Sequence, residues 1–170
     1  MPCIRTRDIL NLSKDFYKQM RLIYEELNDQ IDIRRLETFL DAIRRHVGDL
    51  EEEILSLEKE ATPEVLDAWF QFSPEPPELN IDPTARIGPD MTIDDLFSIV
   101  FDFDSALVEF YQKIAESTEL VKVREIFFNL MQNIEVEKEK LALQTSGLNC
   151  CLQGNPIRPD GNRVESRLGS

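Results

Sequence analysis

Leu12-Ser13-Lys14-Asp15-Phe16-Tyr17-Lys18-Gln19-Met20 and Ala106-Leu107-Val108-Glu109-Phe110-Tyr111-Gln112-Lys113-Ile114 align without a gap, with Phe-Tyr in register. A second matched pair lies downstream of each. Leu36-x-x-Phe39-Leu40-x-x-Ile43-x-x-His46-x-x-x-Leu50 reads against Phe127-x-x-Leu130-Met131-x-x-Ile134-x-x-Glu137-x-x-x-Leu141. Helical periodicity accounts for part of this agreement. The shared Phe-Tyr and the equal order of the two blocks point to a duplicated helical hairpin.

Working outward from these blocks, four stretches carry apolar residues at helical spacing. Ile9, Leu12, Phe16, Met20, Ile23 and Leu27 share one face of a helix over about 7–28. Leu36, Leu40, Ile43, Val47, Leu50, Ile54 and Leu57 do so over about 33–59. The short polar turn Asn28-Asp29-Gln30 makes these two an antiparallel hairpin. Thr92 is a good N-cap for a third helix over about 92–116, and Asp94 and Asp95 suit its positive end. The stripe of that helix is Leu96, Val100, Phe103, Leu107, Phe110 and Ile114. A fourth helix over about 119–145 carries Val123, Phe127, Leu130, Ile134 and Leu141, with Glu137 at the same phase.

The hairpins are separated by residues 61–91, which hold six of the nine prolines. A connection this long predicts a crossover along the bundle, with a short helix at about 63–70. Trp69-Phe70-Gln71-Phe72 is expected to cap the bundle or to form a dimer contact. From Gly147 to Ser170 there is no periodicity, and a flexible tail is expected after a domain of residues 1–146.

The chain has 170 residues with 42% hydrophobic content, enough for one domain with a core. It carries 19 basic against 33 acidic residues, a formal charge of -14. That balance argues against nucleic acid and anionic membranes as partners. Residues 63–104 hold ten acids and the single base Arg86, so most of the excess sits on the crossover and the start of the third helix. No apolar run reaches the ~18 residues of a membrane span. Met1-Pro2-Cys3-Ile4-Arg5 lacks the apolar stretch of a signal peptide, so a cytoplasmic location is expected. Cys3, Cys150 and Cys151 make no disulfide framework.

The duplicated hairpin with Phe-Tyr in its first helix resembles the rubrerythrin and wider ferritin-like family. The resemblance covers roughly residues 5–60 and 92–143. It implies an all-α fold, a ferritin-like four-helix bundle of two antiparallel hairpins joined by a long crossover, commonly paired into dimers. Members carry a Glu seven residues before the Tyr and a Glu-x-x-His in the second helix of each copy. Such a set holds two irons, because residues three apart share a helix face. At those positions this chain has Leu10, Ile43 and His46 in the first copy, and Asp104, Ile134 and Glu137 in the second. Three of the six cannot ligate. There is no Cys-x-x-Cys, so the rubredoxin-type iron domain of many rubrerythrins is not expected here.

His46, Asp104 and Glu137 are therefore the candidate metal set, read as the remnant of a site. Their bland reading is a polar cluster in which His46 pairs with Glu137 or Asp104. Tyr17 and Tyr111 are expected in the interior, packing with their hydroxyls partnered. No catalytic residue and no cofactor is expected, and the implied role is a non-catalytic structural or interaction protein, a homodimer. The alternatives are a metal-binding oxidase, peroxidase or iron-storage protein using iron or another divalent metal, and an adaptor docking a protein partner through the crossover or tail.

Overall fold

The stripes read from spacing turn inward. Ile9, Phe16 and Met20, then Leu40, Ile43, Val47, Leu50 and Ile54, are all buried. So are Leu96, Val100, Phe103, Leu107, Phe110 and Ile114, and Val123, Phe127, Leu130, Ile134 and Leu141. The computed structural model describes residues 3–30, 34–71 and 92–152. In chain order these form β1 (Ile4–Arg5), α1 (Thr6–Gln30), α2 (Arg34–Glu60), α3 (Pro63–Leu66), β2 (Trp69–Phe70), α4 (Ile93–Ser117) and α5 (Val121–Leu152). Among the described residues the fold is all-α apart from one small strand pair.

The directions of the four long helices follow from who touches whom. Lys14 meets Glu58 at 2.8 Å and Arg21 meets Glu51, so seven residues forward on α1 is seven back on α2. These two helices are antiparallel. The Tyr111 ring packs on Phe127 at 5.8 Å, and the Lys138 ammonium lies 4.9 Å from the Phe101 ring centre. Moving back along α4 thus moves forward along α5, and this pair is antiparallel too. Between hairpins the sense differs. Phe39 packs on Phe97 with ring centres 6.3 Å apart, and His46 bonds Asp104 at 2.8 Å. Seven residues forward on α2 is seven forward on α4, so these helices run parallel.

Parallel α2 and α4 place the end of one and the start of the other at opposite ends of the packed helices. Residues 72–91, which join them, lie outside the described residues, and with them Phe72 and four of the crossover acids, Glu75, Glu78, Asp82 and Asp90. At the α4 start Thr92 and Asp95 form a reciprocal cap. The Asp95 N–H donates to Thr92 Oγ1 at 3.2 Å and the Thr92 N–H to Asp95 Oδ2 at 2.9 Å. Two of the four orphan donors of a helix end are satisfied this way.

Three differences from the sequence reading have physical causes. The expected helix over 63–70 stops at Leu66, because β2 instead pairs antiparallel with β1, Ile4 opposite Phe70 and Arg5 opposite Trp69. The Thr6 N–H donates to the Ala68 carbonyl at 3.0 Å, and Arg7 meets Asp67 at 2.7 Å, which ties the start of α1 to the segment after α2. Trp69 and Phe70 therefore point to opposite sides. Phe70 is buried with its ring 6.4 Å from Phe127, whereas Trp69 is exposed beneath the Arg5 guanidinium. Finally, α5 runs through Gly147 to Leu152. One glycine costs a helix interior about 1 kcal/mol, too little to end it alone. The rest of the expected tail, residues 153–170, lies outside the described residues.

Candidate functional site

Midway along the parallel pair, α2 and α4 bring two polar side chains into the core. His46 Nε2 lies 2.8 Å from Asp104 Oδ2, and the residues are 3% and 0% exposed. His46 follows Ile43 by three residues, and Asp104 lies four after Val100 and three before Leu107, so both ride on faces that the apolar stripes drive inward. Burial of two such groups is tolerable because each is bonded to the other.

The remaining polar atoms around the pair have no hydrogen-bond partner among the described residues. They are His46 Nδ1, Asp104 Oδ1 and Tyr24 Oη, all shielded from solvent. Tyr17 and Tyr24 of α1 lie near the Asp104 carboxyl, and Tyr111 of α4 lies beside Tyr17. Burial raises the Tyr17 and Tyr24 phenols well above their usual range, and the nearby Asp104 carboxyl adds to the rise in both. Burial pushes Tyr111 up to about 12, against the pull of the Ser13 and Tyr17 hydroxyls. All three phenols stay neutral at physiological pH. Sequence reasoning named Tyr17 and Tyr111 but missed Tyr24. Its signal was present: Tyr24 stands two helical turns beyond Tyr17, on the same face.

Burial also raises Asp104, and this outweighs the downward pull of the His46 hydrogen bond and of the Lys138 charge. The linkage sign follows. A carboxyl raised in the folded state binds its proton more tightly there than in the unfolded chain. Its contribution to stability is thus greatest below the unfolded value of 3.8 and falls as pH climbs toward the folded value. Asp104→Asn, which cannot ionise, is expected to gain stability relative to wild type as pH rises from about 4 to about 6. Urea midpoints of both proteins across that range measure it. A difference that shrinks would show that His46 stabilises the carboxylate more than burial penalises it.

Glu137 takes a different course. It stands where the second repeat places the counterpart of His46, while Leu10 stands at the counterpart of Asp104. Leu10 is fully buried and offers nothing to bond. Glu137 instead accepts a hydrogen bond from Lys140 at 2.8 Å on its own helix. His46 and Glu137 do share a half-open cleft of about 110 Å³ between α2 and α5, with Arg45, Asp49 and Lys140 on its walls. Apart from His46, two acids and two bases line it, so it has no net preference for either sign of ion.

No protein-family model, curated protein or solved structure matches this chain. Its chemistry has to be read from its own residues. Of the three candidate ligands, His46 and Asp104 are bonded to each other, and Glu137 is bonded to Lys140. Among the described residues, no group of three His, Cys, Asp or Glu side chains is placed to hold a metal ion. The donor set does not fit a di-iron centre. Leu10, Ile43 and Ile134 stand at three of the six positions that the rubrerythrin resemblance would give to ligands, each at most 1% exposed, and aliphatic side chains supply no lone pair.

No helix among the described residues is long and apolar enough to cross a membrane.

Proposed function

We propose that this protein is a ferritin-like four-helix bundle, related to the rubrerythrins, whose former metal positions now serve packing. On this reading it is a non-catalytic structural or interaction protein of the cytoplasm, working as a homodimer, with no resident cofactor. The observation that supports it is the filling of the interior. Ile43 and Ile134, at the positions where the family places bridging carboxylates, are buried among core side chains at 0% and 1% exposure. The His46–Asp104 pair is a buried polar contact between the hairpins at that level. It fixes the register of α2 against α4, a use to which buried polar pairs are put in other helical assemblies.

Elemental analysis tests this directly. Protein purified from iron-rich medium, without chelator, is expected to carry iron, manganese and zinc at ratios near zero per chain, unchanged in His46→Ala. Stoichiometric metal lost in His46→Ala would overturn the reading in favour of a metal-dependent oxidase, peroxidase or iron-storage protein.

A further inference from the structure

The half-open cleft between α2 and α5 is built on buried side chains. His46 and Glu137 both line it, at 3% and 8% exposure. The His46 ring is held through Nε2 by Asp104 and cannot turn without giving up that bond, so it makes a fixed floor. Ala42 and Leu141, both buried, complete that floor. Arg45 and Asp49 of α2, with Lys140 and Gln144 of α5, stand exposed at the rim.

The charges on these walls balance in number but not in place. Because α2 runs parallel to α4, and α4 antiparallel to α5, the two helices of the cleft are antiparallel. Asp49 therefore lies at the Glu137 end, and Arg45 lies one turn away toward Gln144. Lys140 donates to Glu137 Oε1 at 2.8 Å, and the Asp49 charge also acts on its ammonium. Two carboxylates sharing one ammonium leave that end negative. Arg45 makes the other end positive, and neither Arg45 nor Asp49 reaches an ion-pair partner among the described residues. The two ends are about 6 Å apart along α2, the rise of four helical residues. A simple ion meets attraction at one end and repulsion at the other. A molecule that carries both charges is attracted at both.

We propose that this cleft binds a small zwitterion, a free amino acid of glycine-to-serine size. Its ammonium lies toward Asp49 and Glu137, and its carboxylate toward Arg45 and Gln144. A volume of about 110 Å³ equals the share of about four waters in the liquid, which limits the ligand to that size. A carboxylate as buried as Glu137 is costly unless cations meet it. Lys140 brings one from the rim, and the ligand brings a second. So small a ligand makes few contacts, and a Kd of about 0.1–1 mM is expected.

The inference goes beyond the structural role proposed above and needs neither the family resemblance nor the homodimer. His46 is the only histidine of the chain, so histidine-labelled full-length protein gives one pair of ring-nitrogen NMR signals, from the floor of the cleft. Titration with L-alanine to about 20 mM at pH 7, well above the expected Kd, should move these signals along a saturable curve. Acetate and methylamine, each with half of the charge pattern, should need about tenfold more or show no saturation. Arg45→Gln and Asp49→Asn change exposed rim residues and should each weaken alanine binding about fivefold or more, with helicity unchanged. No saturable shift, acetate or methylamine as effective as alanine, or binding indifferent to both substitutions would overturn the proposal.

Discussion

His46→Ala is expected to destabilise the protein by about 3–5 kcal/mol at pH 7, a large share of the ~5–15 kcal/mol that holds a typical domain folded. The alanine removes the hydrogen-bond partner that Asp104 Oδ2 has among the described residues and leaves a fully buried carboxyl facing core side chains. Such a group must stay ionised at high cost or take up a proton, so the loss should be smaller at pH 4 than at pH 7. An ordinary cavity would show no such pH dependence. The companion measurement removes both partners. His46→Leu/Asp104→Leu places at position 104 the residue type that already stands at its counterpart, Leu10. The double variant is expected within about 1 kcal/mol of wild type, or above it, because no buried polar group is then left unpaired. Urea denaturation of the four proteins of this cycle gives the coupling energy. A double variant as unstable as His46→Ala would mean that the pair stabilises the fold outright rather than setting its register.

Phe103→Ala carries the second large effect. Phe103 is 1% exposed, with its ring centre 6.1 Å from Phe16 and 6.0 Å from Tyr24, both contacts edge-on. It is one of the side chains through which α4 meets α1, helices from different hairpins. Truncation removes the ring and leaves a cavity between elements that no short turn holds together. The expected cost is about 3–5 kcal/mol, against under about 1.5 kcal/mol for Phe103→Leu, which refills most of the volume. Hydrogen exchange should place the lost protection first in α1. A cost below about 1 kcal/mol for Phe103→Ala would show that the hairpins close around the gap.

Much of this structure was legible in the chain because helices repeat. The four stripes, the Thr92 cap and the antiparallel sense of each hairpin all come from patterns a few residues long. Other features depend on contacts between distant segments. The pairing of Ile4-Arg5 with Trp69-Phe70 joins two-residue strands with no period to detect, and it also stopped the expected helix at Leu66. The partner of His46 was open between Asp104 and Glu137. Periodicity brought all three to the interior, but only the parallel setting of α2 on α4 gives Asp104 to His46. Glu137 sits on an apolar seam by phase, yet its carboxylate reaches Lys140 at the edge of the cleft, a choice of rotamer that phase does not carry.

The parallel setting of α2 and α4 also governs how the chain folds. Contacts near the turn of a hairpin, such as Tyr111 with Phe127, join residues close along the chain, and such contacts form early. The His46–Asp104 bond spans 58 residues, and the ring contact of Phe39 with Phe97 spans as many. Closing loops of that length costs entropy before any contact returns it. The two hairpins should therefore form first and dock late, with the buried pair assembling after the main barrier. Interactions absent from the transition state leave the folding rate nearly untouched and act on the unfolding rate. His46 and Asp104 then set how long a folded molecule lasts, and have little say in how quickly it forms.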